Sequence, residues 1–182
     1  DQAEKTGDSR GLAMSLGNLS TTLQEQGRIR EAEEIHLSAL REIEQTGELE
    51  WQANWWGNYG LFAAQAGDFR EGVERYEEAL AMHRQAGDQV GETRVLGHLA
   101  RAHWRLGDPQ RAEKLFQQAI AMCQKTGDRV GEARQRAGLA LMAEDRGDVK
   151  SAEEGYQFAR RVFRKADMIE ETIEQERHLA SL

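Results

Sequence analysis

Residues 87–128 read G-D-Q-V-G-E-T-R-V-L-G-H-L-A-R-A-H-W-R-L-G-D-P-Q-R-A-E-K-L-F-Q-Q-A-I-A-M-C-Q-K-T-G-D, and they end on the Gly-Asp pair with which they begin. Glycine recurs every forty residues along the chain in two interleaved sets. The first set is Gly7, Gly47, Gly87 and Gly127, and the second is Gly27, Gly67, Gly107 and Gly147. Self-similarity at a fixed period of this length indicates a repeat architecture. The chain is therefore predicted to be an array of forty-residue repeats.

The glycine spacing divides the chain into four full repeats, which we number one to four. They span residues 9–48, 49–88, 89–128 and 129–168. Residues 1–8 have the pattern of a remnant of a preceding repeat helix. Residues 169–182 are predicted to be a C-terminal capping helix or the first helix of a truncated next repeat. Because the chain opens at Asp1 within the pattern, we expect it to be part of a longer protein.

Each repeat contains two helical patterns on either side of its middle glycine. Apolar residues of repeat three recur at steps of three and four, which is the period of an amphipathic helix. They are Val95, Leu96, Leu99, Ala102 and Leu106 in the first half, and Ala112, Leu115, Phe116, Ala119 and Ile120 in the second. Asp108 is a predicted N-cap, and Pro109 suits the first helical position. Asp68 and Glu71 have the spacing of a capping box. Each repeat is thus predicted to be a hairpin of two helices, each about 16–18 residues long.

Composition excludes several classes of partner. A formal net charge of −8 argues against nucleic-acid binding, which requires clustered Lys and Arg. No apolar run approaches the roughly 20 residues that cross a bilayer, so we expect no membrane partner. Cys123 is the single cysteine, which rules out an internal disulfide and favours a reducing, cytoplasmic location.

The chain also lacks the patterns of catalysis or metal binding. No two histidines stand at the i, i+4 spacing of a helical metal site. Adjacent glutamates such as Glu77-Glu78 do not converge on a helix and fit a solvated face. No nucleophile, base and orienting group can be assigned together. We therefore expect no enzyme activity, no metal and no cofactor.

The residues that recur in phase resemble the tetratricopeptide repeat (TPR). In repeat three they are Leu96, Leu99, Ala100, Gly107, Ala112, Phe116 and Ala119, and in repeat two they are Trp56, Tyr59, Gly60, Gly67, Tyr76, Ala79 and Leu80. The forty-residue period without a closing proline is similar to the long-helix TPR arrays of kinesin light chain, Pins-like adaptors and bacterial signalling proteins. The resemblance implies an all-α fold, a right-handed α-solenoid of stacked helical hairpins (a TPR superhelix).

The resemblance also implies a location for the binding site, since the first helices of TPR repeats line a concave groove where ligands lie. Carried over residue by residue, the predicted peptide-binding residues are Asn18, Asn54, Asn58, Leu61, Arg94, His98, Arg101, Trp104, Arg105 and Arg134. Asn18, Asn58 and His98 fall on one line, and an asparagine amide can pair with any peptide backbone. The arginines favour an acidic peptide. Alternatively, the polar residues are solvated and the arginines pair with neighbouring helices, for example with Asp145 or Glu144.

The predicted function is a non-enzymatic protein-interaction scaffold that binds an extended, acidic peptide segment of a protein partner in its concave groove. One alternative is a regulatory or sensor segment of a larger multidomain signalling protein. Another is an architectural self-association module. For the last we expect an end-to-end homo-oligomer, because the first repeat presents an uncovered face.

Overall fold

The computed structural model describes residues 2–44 and 47–182, and for residues 2–8 it describes the backbone alone. The described residues form nine α-helices joined by short turns. They are α1 (Gln2–Glu25), α2 (Ile29–Glu44), α3 (Leu49–Gln65), α4 (Phe69–Ala86), α5 (Gln89–Arg105), α6 (Pro109–Thr126), α7 (Arg129–Asp145), α8 (Val149–Lys165) and α9 (Ile169–Ser181). The prediction of an all-α chain is confirmed.

The helix bounds follow the glycine spacing through most of the chain. Helices α2 to α8 are 16–18 residues long, as the pattern predicts. Helix α1 is longer, at 24 residues, because it runs through the Gly7-Asp8 pair without a break. Residues 2–8 are therefore the first turns of the same helix that opens repeat one. Residues 169–181 form α9, and its assignment as a cap or as part of a further repeat stays a prediction.

Aspartates cap the starts of α4, α6, α7 and α8, and glycines with positive φ follow most of the helices. The carboxylates of Asp68, Asp108, Asp128 and Asp148 each accept a hydrogen bond, at 2.8–3.2 Å, from the backbone N–H three residues ahead. Gly107 has a φ of +84°, a left-handed conformation that glycine adopts without strain, and it terminates the turn after α5. The capping box at Asp68 is only half formed. Glu71 instead accepts a hydrogen bond from the Tyr59 hydroxyl at 3.1 Å, while the Asp68 N–H bonds to the Ala63 carbonyl.

The chain divides into two compact halves, Asp1–Gly91 and Glu92–Leu182, which we describe separately. In the N-terminal half, α1 packs on α2, α2 on α3, and α3 on α4. One buried cluster contains Ala13, Ala39, Leu40, Ile43 and Trp55, and a second contains Leu23, Ala32, Tyr59 and Phe62. Both join repeats one and two. In them the aromatic side chains of Trp51, Trp55 and Phe62 on α3 pack against repeat one.

Trp55 lies very close to the backbone of α1. A Cβ atom placed on Gly17 would be 2.5 Å from Cη2 of the Trp55 ring, far inside van der Waals contact. The absence of a side chain at Gly17 therefore lets the indole ring rest on α1. Gly11 is on the same helix and has nothing within 4 Å of its Cβ position. Gly11 and Gly17 thus have different structural roles.

In the C-terminal half, α6 packs on α7, α7 on α8, and α8 on α9. Ala140, Ala143, Ala152 and Tyr156 form one buried cluster, and Leu179 of α9 packs against it. Ala133, Ala159 and Phe163 form another. Small residues on α7 allow close helix packing, since a Cβ on Gly138 would be 2.5 Å from the Phe116 ring. Among residues 2–44 and 47–182, no helix combines the length and apolar character that a bilayer crossing needs.

Candidate peptide-binding surfaces

A groove of about 600 Å³ lies between α1 and α3 in the N-terminal half. We call it the α1–α3 groove. Its lining residues are Met14, Gly17, Asn18, Ser20, Thr21, Gln24, His36, Trp51, Asn54, Trp55, Asn58, Leu61, Phe62 and Gln65. The four site residues predicted for repeats one and two, Asn18, Asn54, Asn58 and Leu61, all lie in it. The first-helix positions of these two repeats therefore come together on a single surface.

The walls of the groove present amide groups. Asn18 and Asn58 are exposed, and within the described residues neither side chain forms a hydrogen bond. The Asn54 amide is half-buried and donates to the Glu50 carbonyl at 2.8 Å, so part of its capacity is used inside α3. Gln24 donates to the Gln65 side chain, which joins the two walls. Asn18 and Asn58 are thus the amides most open to a ligand.

The floor of the groove is aromatic. Trp55 and Phe62 are buried, with 8% and 5% of their surfaces exposed, and the half-buried Trp51 lies beside them. The sequence did not predict that these rings line a groove. One signal was present at Trp51, because the corresponding positions of the other repeats are glycines. An apolar floor between amide walls can hold a side chain while the walls bind backbone.

His36 lies at the base of the groove on α2 and is neutral. Its Nε2 lies 3.2 Å from the Trp55 carbonyl, which can only accept, so Nε2 carries the proton. Its ring stacks on Tyr59 with 5.6 Å between centroids. Burial lowers the pKa of His36, and the hydrogen bond to Trp55 opposes that shift only in part. Because the lining also contains no Asp, Glu, Lys or Arg, the described groove is uncharged.

The C-terminal half carries a cationic surface around His98. We call Arg94, His98, Arg101 and Arg134 the arginine cluster. The three arginines are exposed and His98 is half-buried. Burial, and then the charges of Arg101, Arg94 and Arg134, lower the pKa of His98 to about 4. Arg94 stands four residues before His98 and Arg101 three residues after it, so the three side chains share one face of α5. With a pKa of about 4, the His98 imidazole stays neutral at physiological pH.

Arg134 of the cluster has a partner on a neighbouring helix. Arg134 forms an ion pair with Glu171 of α9 at 3.1 Å. The predicted alternative partners were Asp145 and Glu144, but Glu144 accepts from the Tyr156 hydroxyl at 2.5 Å and contacts His178 at 3.1 Å. The Arg134 side chain is 51% exposed, and a pair this exposed contributes little to stability. A ligand carboxylate can therefore compete with Glu171.

The remaining predicted residues lie at the end of α5. Trp104 is half-buried, and Arg105 is exposed one position further on. Cys123 is buried, and burial, followed by the charges of Asp128 and Glu132, raises the pKa of its thiol to about 11. The thiol is therefore protonated and unreactive at neutral pH. Among the described residues, no group of three or more His, Cys, Asp or Glu has a metal-binding arrangement.

Comparison with known proteins supports the repeat assignment. Three tetratricopeptide-repeat family models match residues 12–46, 51–125 and 98–166. No curated protein matches the chain in sequence. BtubC (BKLC) from P. vanneervenii is similar in structure, with a TM-score of 0.71 and 16% identity over 99% of this chain and 89% of that one.

Two further solved structures share the fold. The TPR-like repeats of a putative kinesin light chain from Podosopora anserina give a TM-score of 0.65 and 21% identity over 85% of this chain and 76% of that one. The TPR domain of FLU from Arabidopsis gives a TM-score of 0.58 and 19% identity, over 64% of this chain and 98% of that domain. At these identities the similarity establishes the fold class, a helical-repeat solenoid.

The chain belongs to the tetratricopeptide-repeat family. Repeats of this family form protein-interaction scaffolds, and this chain has that general role. Such repeats are typically interaction modules and not enzymes.

Proposed function

We propose that each half of the chain binds an extended peptide segment of a protein partner on the surface formed by its first helices. In the N-terminal half the surface is the α1–α3 groove. The observation that carries the proposal is that Asn18, Asn54, Asn58 and Leu61 all line this one groove of about 600 Å³. A volume of this size is within the usual range for ligand sites.

The chemistry of the groove suits a peptide backbone with an apolar side chain. The open amides of Asn18 and Asn58 each offer a donor and an acceptor, which matches the alternating N–H and C=O groups of an extended chain. Trp55 and Phe62 in the floor offer an apolar seat for one side chain. Large rigid aromatic residues at the centre of a surface commonly contribute most of the binding energy. Since the groove is uncharged, we expect it to distinguish peptides by the shape of their side chains and not by their charge.

The arginine cluster supports a preference for acidic residues in the C-terminal half. Guanidinium groups bind carboxylates through paired, charge-assisted hydrogen bonds. His98 adds no positive charge at neutral pH, because its pKa is about 4. The exposed guanidinium groups of the cluster are therefore the groups there that a ligand carboxylate would contact, although the whole chain carries −8.

Affinity measurements with a selected peptide test the groove. Peptides are selected from a display library on the intact chain, and binding is followed by tryptophan fluorescence, since Trp51 and Trp55 line the groove. We expect Asn58→Ala to weaken binding roughly tenfold, in line with losing hydrogen bonds to the ligand. Gln118→Ala, an exposed amide on α6, is the matched control and is expected to bind normally. Equal affinity of both variants would reject the groove assignment.

A further inference from the structure

The C-terminal half has a second concave surface that shares no residue with the arginine cluster. A pocket of about 580 Å³ lies between the start of α7 and the end of α8. Its lining includes Arg129, Val130, Phe158, Arg161, Val162 and Lys165. We call it the basic pocket.

The charges of the basic pocket are all of one sign. Arg129, Arg161 and Lys165 line it, and no Asp or Glu among the described residues does. Arg161 and Lys165 are exposed, and in the described part of the chain neither side chain forms a hydrogen bond or an ion pair. The Arg129 side chain is 62% exposed. The pocket is therefore a cationic site on an acidic chain, and such a site attracts anionic groups.

The apolar part of the pocket is held in place by two ion pairs to one buried glutamate. Arg129 and Arg136 lie over the Phe158 ring, with their Cζ atoms 4.9 and 4.5 Å from its centre. Both arginines bind Glu132, which is 1% exposed, at 2.7 and 2.9 Å. The Phe158 ring and the Arg129 guanidinium are thus positioned before a ligand arrives, which lowers the entropy cost of binding.

The other repeats do not reproduce this surface. At the corresponding positions forty residues apart, repeat two has Glu50 and Glu78 and no cation. Repeat three has Lys125 as its single charged residue there, and repeat one has two arginines together with a glutamate. No other repeat has an aromatic residue at the position of Phe158. The combination of cations and an aromatic ring is therefore specific to repeat four and is not a consequence of the repeat pattern.

We propose that the basic pocket is a second protein-binding site, and that its ligand is an acidic peptide segment with a hydrophobic side chain between its carboxylates. Arg161 and Lys165 bind the carboxylates, and the hydrophobic side chain packs on Phe158 and Val162. Charge complementarity supports an anionic ligand, and the apolar lining requires a hydrophobic group beside the charges. A membrane surface fits less well, because an anionic bilayer repels a chain with a net charge of −8.

Binding of defined peptides to the intact chain tests the proposal. The probe is a capped, fluorescein-labelled glutamate peptide in which every third residue is leucine. In a second peptide serine replaces the leucines, and in a third glutamine replaces the glutamates. We expect fluorescence anisotropy to show binding of the first peptide, at least tenfold weaker binding of the second, and none of the third.

Charge reversal locates the binding site. Arg161→Glu combined with Lys165→Glu is expected to weaken probe binding at least tenfold, since both changes replace attraction with repulsion. The matched control is Arg41→Glu combined with Lys125→Glu, which reverses the same residue types at the corresponding positions of repeats one and three. We expect the control to bind like the unmodified chain. Unchanged circular dichroism melting curves show that both variants fold.

Three outcomes would overturn the proposal. The first is that the probe does not bind, or that the two double variants lose affinity equally. The second is that the chain binds phosphatidylserine vesicles through Arg161 and Lys165 but not the probe, which would assign the pocket to a membrane. The third is that the probe does not bind and sedimentation shows a dimer that the same charge reversal abolishes. That result would assign the basic pocket to contact with a second copy of the chain.

Discussion

His98 lies among three exposed arginines, and its surroundings disfavour a further positive charge. Its half-burial and the charges of Arg101, Arg94 and Arg134 lower its pKa to about 4, against about 6.5 for an unfolded chain. In the unfolded chain the imidazole therefore binds its proton at a higher pH than in the folded one. The contribution to stability is fully present above about pH 6.5 and is lost as the pH falls towards 4.

Replacement of His98 by asparagine tests this linkage. We expect the free energy of unfolding of the His98→Asn variant to fall less than that of the unmodified chain between pH 7 and about pH 4.5. Urea unfolding at a series of pH values measures the difference. A difference between the two proteins that stays constant over this range would contradict the lowered pKa of His98.

Gly11 and Gly17 of α1 provide a matched pair for testing how the Trp55 ring packs on α1. Gly17→Ala places a methyl group 2.5 Å from the Trp55 ring, whereas Gly11→Ala meets nothing within 4 Å. In a helix interior, alanine is favoured over glycine by about 0.5–1 kcal/mol, so Gly11→Ala is expected to stabilise the chain. Gly17→Ala is expected to destabilise it by about 1–3 kcal/mol through overpacking. Thermal unfolding compares the two, and equal melting temperatures would show that the ring does not rest on α1.

At the scale of the helices, most of the architecture follows from local chemistry that the sequence displays. Aspartates at the predicted N-caps begin helices, and glycines with positive φ end them. One exception is α1, in which Gly7-Asp8 does not break the helix. The pair has the same local sequence as Gly87-Asp88 and Gly127-Asp128, so the pattern alone did not predict this difference. Another exception is the turn after α8, where Asp167 has the positive φ.

The caps are expected to contribute measurably to stability. The Asp108 carboxylate accepts from the Arg111 N–H at 3.0 Å at the start of α6. Loss of this cap in Asp108→Ala is expected to cost about 1 kcal/mol. The control is Asp145→Ala at the C-terminal end of α7, where a carboxylate meets the negative end of the helix dipole, so its loss is expected to be neutral or slightly stabilising. Urea unfolding that finds equal costs would contradict the capping role.

At the scale of the whole molecule, the sequence predicts which helix faces carry polar residues but not how deep those surfaces are. The spacing of Asn18 and Asn58 anticipated that both lie on first helices. It did not reveal the aromatic floor, because periodicity cannot distinguish a core ring from one that is also reached from a groove. Nor did it predict that Arg134 pairs with Glu171, since contacts between helices depend on packing geometry. The sequence did not predict the basic pocket either, because the pocket is formed by residues from the start of one helix and the end of another.

The chain therefore combines an uncharged groove with cationic surfaces on an acidic background. The charge of each surface determines how its affinity for a peptide responds to salt. Dissolved ions screen exposed charges, with a screening length of about 8–10 Å at physiological ionic strength. Peptide binding in the α1–α3 groove, which has no charged lining residue, is expected to change little with salt. Binding at the arginine cluster is expected to weaken as salt is added.

A backbone NMR footprint shows where a peptide binds on the N-terminal half. The intact, isotope-labelled chain is titrated with a peptide selected for binding to the N-terminal half, and amide shifts are followed residue by residue. We expect the largest shifts to cluster at Asn18, Asn58 and Leu61, on both walls of the α1–α3 groove, and we expect Asn58→Ala to need roughly ten times more of the same peptide to reach them. Shifts confined to α2 and α4, or an unchanged titration curve in Asn58→Ala, would contradict peptide binding in the α1–α3 groove.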